Sequence, residues 1–210
     1  MEGMAGFTTH QGKIAVYNAD DVDTDRIIPA RFLSRVSRSG YGELLFSDVR
    51  GEGFALDQQE AQGATVLVAG TNFGCGSSRE HAVWAIQQAG FVTVIAKVQE
   101  NSPGYSDIFR QNSANCGLLL VELPESDHQK LVDAGSGATI DIDLEAQTVS
   151  IGGDTVNFEI NAAVKAQLLA GLDLVGTTMQ HEERIGEFES GWNSFAPNAD
   201  TSGSVGASNS

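Results

Sequence analysis

The segment Gly70-Thr71-Asn72-Phe73-Gly74-Cys75-Gly76-Ser77-Ser78-Arg79-Glu80-His81-Ala82 concentrates the side chains of this protein best suited to chemistry: hydroxyls, a thiol, a guanidinium and an imidazole among glycines. It follows an apolar, β-branched run, Thr65-Val66-Leu67-Val68-Ala69, and precedes Ala82, Ala85, Ile86 and Ala89 at helical spacing. A glycine-rich turn between a buried strand and a helix N-terminus suits an anion. The first backbone N–H groups of a helix lack internal partners, its dipole is positive there, and glycine lets the backbone come close. Arg79 adds a planar, permanently charged fork that matches a carboxylate or phosphate.

Spacing excludes several other chemistries. Gly70, Gly74 and Gly76 do not form the G-x-G-x-x-G dinucleotide pattern, and no lysine follows them as in a phosphate-binding P-loop. Neither Ser77 nor Ser78 sits in a G-x-S-x-G elbow. A nucleophilic Cys75, its thiol acidified by the helix N-terminus, stays open as an alternative. A structural reading also stands: Ser77 to Glu80 fits a capping box, with Ser77 as N-cap, and Cys75 fits a small buried filler.

The surrounding chain must position this loop. Lys13–Tyr17 reads as a strand, Asn18–Arg26 as a loop, and Ile28 before Pro29 as extended. Residues 34–63 read as loop with short helical pieces. Thr65–Ala69, the helix from Ser78 to a Gly90 cap, and a strand Phe91–Ala96 form a parallel crossover unit. A helix over Asp107–Ser113, a strand Gly117–Leu123 and a helix from Pro124 to near Gly135 make a second round. Thr139–Ile160 alternates as strands broken by a turn at Gly152-Gly153-Asp154, and Asn161 caps a helix through Leu169. A polar helix is expected over Thr178–Phe188. The whole reads as one α/β domain over residues 1–195 with an added β-hairpin layer, followed by a disordered tail, 196–210.

Composition narrows the class. The chain has 210 residues, 41% of them hydrophobic, and a net charge of −16. That balance argues against nucleic-acid binding. No apolar run approaches a membrane span, and Met1–Gly12 lacks the pattern of a secretory signal, so a soluble, cytoplasmic protein is expected. Cys75 and Cys116 are the only cysteines, too few for a disulfide framework or an iron–sulfur cluster held by this chain alone. The four histidines lack ligand spacing, so no metal is expected here. Arg26, Arg31, Arg35, Arg38 and Arg50 crowd the first quarter, where they could meet an anion or an acidic partner.

The string Asn72–Ala82 resembles the signature of the aconitase swivel domain, in the form found in small subunits of 3-isopropylmalate dehydratase. Phe7-Thr8-Thr9-His10, Asp23-Thr24-Asp25-Arg26-Ile27-Ile28-Pro29-Ala30-Arg31-Phe32-Leu33, Asp107-Ile108-Phe109, Asn115, Gly117-Leu118-Leu119, Gly171-Leu172-Asp173 and Ile185-x-x-Phe188-Glu189 follow in family order. The resemblance spans roughly residues 7–190. It implies an aconitase-type swivelling β/β/α domain and a hydro-lyase of leucine biosynthesis. The reaction it implies interconverts 2- and 3-isopropylmalate through isopropylmaleate, with a partner large subunit holding a [4Fe–4S] cluster. It also implies that Ser77 removes the carbon-bound proton and Arg79 binds a substrate carboxylate, with Ser78, Asp23 and Thr24 lining the cleft.

Two features depart from the family pattern. Residues 97–106 replace a short Ser-Phe-Ala link and read as an insertion, and the acidity exceeds what the resemblance requires. Rival readings are small subunits acting on homoaconitate, citraconate or methylmalate, distinguished by residues in Ala30–Gly42, a non-catalytic partner-binding module, and a hydrolase built on Cys75.

Overall fold

The computed structural model describes residues 6–34 and 37–171. Strand β1 (Thr9–Tyr17) leads to a one-turn helix α1 (Thr24–Ile27). Strand β2 (Val66–Ala69), helix α2 (Glu80–Gln88) and strand β3 (Thr93–Val98) follow. Helix α3 (Asp107–Cys116), strand β4 (Leu119–Pro124) and helix α4 (Glu125–Ala134) make the second round. Strands β5 (Thr139–Asp143), β6 (Thr148–Ile151) and β7 (Asp154–Asn157) precede helix α5 (Ala162–Ala170). The expected helix over Thr178–Phe188 and the tail 196–210 lie outside the described residues.

Among the described residues the strands form a seven-stranded sheet in the order β4-β3-β2-β1-β5-β6-β7. From β1 to β4 the neighbours are parallel, and β5 to β7 continue from the other edge of β1 as an antiparallel meander. The hairpin strands therefore extend the parallel sheet. They curl with it: Val149 and Ile151 of β6 share a core with Ile14, Val66 and Ile95 of the parallel strands and Leu131 of α4. The other face of the parallel strands packs Ala15, Leu67, Ala69 and Val94 against Val83 and Ile86 of α2 and Phe109 of α3. Strand β2 is buried along its whole length, as a β-branched run covered on both faces requires.

Residues 34–63 contain short 3-10 turns at Gly42–Leu44, Ala55–Asp57 and Gln59–Ala61, in keeping with the weak periodicity there. Asn161 caps α5 as expected, its side chain accepting from the N–H groups of Ala163 and Val164.

The 97–106 segment has a definite structure. Strand β3 runs on to Val98, and Gln99 and Ser102 close a turn by exchanging backbone hydrogen bonds of 3.0 and 3.1 Å. The chain then turns back so that Tyr105 is fully buried, its hydroxyl 2.7 Å from the Val94 carbonyl and 3.0 Å from that of Val121. Replacing Tyr105 by Phe leaves those carbonyls without this donor. The expected cost is about 1 to 2 kcal/mol of stability, read by denaturant unfolding with an unchanged slope.

His128 of α4 is also buried, with Nε2 2.7 Å from the Ala69 carbonyl at the end of β2. Burial, aided by Lys97, holds its pKa below the ordinary 6.5, although the Ala69 carbonyl, Asp20 and Glu125 oppose the shift. The unfolded chain therefore binds this proton more readily than the folded one. Stability should be unaffected by His128 above pH 6.5 and should decline as the pH falls below it. His128→Gln should flatten that part of the stability profile, leaving the contribution of partly buried His10, whose pKa is shifted the same way.

Candidate active site

Strands β1 and β2 are parallel neighbours, so the chain leaves both at the same end of the sheet. The two departing segments stay bonded. The Asp21 N–H donates to the Thr71 carbonyl at 3.0 Å, Gly74 N–H to Val22 at 2.7 Å, and Thr24 N–H to Cys75 at 2.9 Å. Asn72 Nδ2 reaches Asp21 Oδ1 at 2.7 Å, and the Thr71 N–H reaches Asp20 Oδ1 at 2.8 Å. Lys97 Nζ lies 3.3 Å from the same Asp20 oxygen.

On the other side, the Asn72 and Phe73 N–H groups donate to the Pro103 and Gly104 carbonyls at 2.8 Å, and Ser106 Oγ donates to the Gly74 carbonyl at 2.7 Å. The 97–106 segment thus braces the loop directly. Gly74 has φ +74°, and a Cβ there would stand 2.3 Å from the Phe109 ring. Only glycine fits both demands.

Beyond Cys75 the loop is held more lightly. The buried Thr24 hydroxyl donates to the Ser77 carbonyl at 3.1 Å. Ser77 and Ser78 are exposed, and neither hydroxyl makes a hydrogen bond among the described residues. The capping-box expectation is overturned. Helix α2 starts at Glu80, and its N-cap is Arg79, in an extended conformation (φ −126°, ψ 99°) with no side-chain cap. The backbone N–H groups from Ser77 to His81 consequently find no acceptor among the described residues. They form an open row of donors at a helix N-terminus, where an anion is favoured.

Arg79 closes one side of that row. Its side chain is 14% exposed and forms an ion pair through Nη1 with Asp25 of α1. The pair lacks hydrogen-bond alignment, and Nη1 is buried. Asp23, expected at the cleft, is exposed, and its carboxylate accepts from the Arg26 N–H at 2.7 Å as the cap of α1. Asp25 is the neighbour that sequence reasoning passed over. Its place beside Asp23-Thr24, within the same string Asp23–Leu33, was the available signal.

The arginines of Ala30–Gly42 fall into different settings. Arg31 forms an exposed pair with Asp48 and lies 4.4 Å over the Phe32 ring, and Arg38 lies 5.1 Å over Trp84. Arg35 is outside the described residues.

Cys75 has the wrong electrostatics for a thiolate. Burial pushes its thiol pKa up, and the Asp23 and Asp21 carboxylates add to the shift against weaker help from a backbone hydrogen bond and Arg26. Cys116 is pushed up to about 12 by burial and the adjacent Glu80 carboxylate. Among the described residues no His, Cys, Asp and Glu side chains gather as a metal site, and the cysteines do not fit a cluster. A cavity of roughly 380 Å³ between α3, β4 and the approach to α5 is lined by Arg110, Leu118, Glu122 and Asn161, with no residue of the 70–82 loop.

Comparison with known proteins decides the family. The aconitase C-terminal domain model matches residues 4–126, and the LeuD_N model matches residues 129–162. The 3-isopropylmalate dehydratase small subunit of Rubrobacter xylanophilus is 47% identical over 183 residues, covering 85% of this chain and 91% of its own. That of Kocuria rhizophila is 43% identical over 198 residues, covering 92% and 96%. The chain belongs to the 3-isopropylmalate dehydratase small-subunit family. The solved structure of a 3-isopropylmalate dehydratase from Methanocaldococcus jannaschii superposes with a TM-score of 0.64 at 30% identity, covering 86% of this chain and 99% of that one. The sequence-based expectation of an aconitase-type α/β fold is thereby met.

The electrostatics around Cys75 can be checked directly. Its alkylation by iodoacetamide should be slower near neutral pH than that of an unhindered thiol. The rate should rise with pH through a midpoint above the ordinary thiol value of 9.0. A midpoint below that value would restore the nucleophile reading.

Proposed function

We propose that this chain is the small subunit of a 3-isopropylmalate dehydratase, a hydro-lyase that interconverts 2- and 3-isopropylmalate through isopropylmaleate in leucine biosynthesis. The observation that carries the reading is the exposed Ser77 hydroxyl, two residues before Arg79, at a row of backbone donors that find no acceptor among the described residues. Such a row meets an anion, and the substrates of this reaction are dicarboxylates. No described helix is long and apolar enough to cross a membrane.

Ser77 is the proton acceptor. Its Oγ takes the carbon-bound proton as the C–H electron pair becomes the new double bond and the hydroxyl leaves from the adjacent carbon. A serine hydroxyl is a weak base near neutral pH, so the alkoxide must be favoured locally. The N–H groups that follow Ser77, the dipole of α2 and the Arg79 charge all act in that sense. Arg79 binds one substrate carboxylate. The exposed Ser78 hydroxyl and the Asp23-Thr24 turn line the same cleft, Thr24 acting through its bond to the Ser77 carbonyl. The partner large subunit carries the [4Fe–4S] cluster, which supplies a Lewis acid for the departing hydroxyl.

The test is anaerobic reconstitution with the cognate large subunit, following isopropylmaleate absorbance from 3-isopropylmalate. Turnover should require both chains. Ser77→Ala should lower kcat by about a hundredfold or more, and Arg79→Lys should raise KM. A cluster-loaded complex that ignores isopropylmalate and turns over homoaconitate, citraconate or methylmalate would reassign the substrate. Turnover by this chain alone would refute the two-chain reading.

A further inference from the structure

Arg79 is tied to one carboxylate in the site, and it is not the one its motif would suggest. Asp23 is committed to the Arg26 N–H, while Asp25 pairs with Arg79 Nη1. We infer that Asp25 is a positioning residue. It grips one end of the Arg79 guanidinium and leaves Nε and Nη2 for a substrate carboxylate. This rests on the reading of Arg79 as the carboxylate binder and names what aims it.

The geometry of α1 favours such a role. The turn is closed by the Ile27 N–H donating to the Asp23 carbonyl at 3.1 Å and the Ile28 N–H to that of Thr24 at 2.9 Å. Ile27 and Ile28 are fully buried, and Thr24 is stitched to Cys75 and Ser77. The backbone under Asp25 is therefore fixed to the core and to the loop that carries Arg79. Its own side chain is 54% exposed, so no packing demand places it there.

The division of the guanidinium gives the direction of the effect. The nitrogen facing Asp25 is the buried one, whereas Nε and Nη2 make no hydrogen bond among the described residues. A planar guanidinium can accept carboxylates along more than one edge. A substrate arriving from the open side meets the unused donors without displacing Asp25. Arginine loses much rotamer freedom when ordered, and a grip at one end removes part of that loss before substrate binds.

The holoenzyme reconstituted from both subunits provides the test. Asp25→Asn keeps the shape and removes the charge. It should raise KM for 3-isopropylmalate about tenfold while changing kcat less, and Asp25→Glu should recover most of the loss. In an Arg79→Gln background, Asp25→Asn should alter kcat/KM by less than about twofold, because there is no guanidinium left to aim.

An equal loss in both backgrounds would show that Asp25 acts elsewhere and would overturn the inference. A lower KM for Asp25→Asn would overturn it too, making Asp25 a competitor for Arg79. If Arg79→Gln itself leaves KM unchanged, the carboxylate assignment of Arg79 fails and takes the inference with it. If Arg79→Gln raises KM while Asp25→Asn is silent, the role of Asp25 alone is lost. Thermal unfolding of each variant separates these outcomes from misfolding, and the charge-conserving Asp25→Glu keeps the test decisive if the neutral variant unfolds.

Discussion

Gly74 donates to Val22, and Thr24 donates to Cys75, at 2.7 and 2.9 Å. These bonds join segments some fifty residues apart in the chain, just past the ends of β1 and β2, and the rest of the site hangs from them. Parallel strands deliver both segments to the same sheet end, but nothing in that topology forces the chains to stay together once they leave it. The bridge does so, and each neighbouring feature follows. Thr24 is brought under the Ser77 carbonyl, and Asp25 is brought to Arg79. The bridge is possible because Gly74 accepts a positive φ against the Phe109 ring.

The second restraint comes from β3. The segment ending at Tyr105 lays the carbonyls of Pro103 and Gly104 against Asn72 and Phe73, and Tyr105 anchors it between β3 and β4. The loop is gripped on both flanks up to Cys75. From Ser77 to His81 it is held by the Thr24 bond, the Asp25 pair and the packing of the His81 ring on Tyr41 and Trp84, and its backbone donors find no acceptor among the described residues. Rigid flanks around an unsatisfied row of N–H groups give a site donors that need little rearrangement when charge develops. A fully capped helix would have spent the same donors on itself.

Much of this architecture was legible in the sequence because it is written in period and punctuation. Thr65–Ala69 could only be a buried strand, the spacing of Ala82, Ala85 and Ile86 marked a helix, and Gly152-Gly153 marked a hairpin. The start of α2 was not legible. Ser77 to Glu80 satisfies the local rule for a capping box, yet the Thr24 bond to the Ser77 carbonyl and the extended backbone of Arg79 move the helix start to Glu80. Those are tertiary facts. The choice between Asp23 and Asp25 was equally hidden, since one capping bond decides which carboxylate is free. The rise of the Cys75 pKa depended on the approach of Asp21 and Asp23, which the loop alone could not reveal. Residues 97–106 read as an insertion from the sequence, and their pairing with the loop could not be read there.

A net charge of −16 is unfavourable for holding any anion, so an anion at the 70–82 loop depends on short-range donors. Repulsion between exposed charges is screened within about 8 Å at physiological ionic strength. The interactions that bind must therefore lie closer than that and be shielded from water. Arg79 is mostly buried, and the N–H groups from Ser77 to His81 find no acceptor among the described residues. Ser77 and Ser78, by contrast, are exposed. Water competes for those hydroxyls and weakens every local donor by its dielectric response. The same groups become effective only when another surface covers them and excludes that water. Aiming and charge are built into the described residues, and a cover that would exclude water is not found among them. A half-site of that kind is in keeping with the small-subunit family to which the chain belongs.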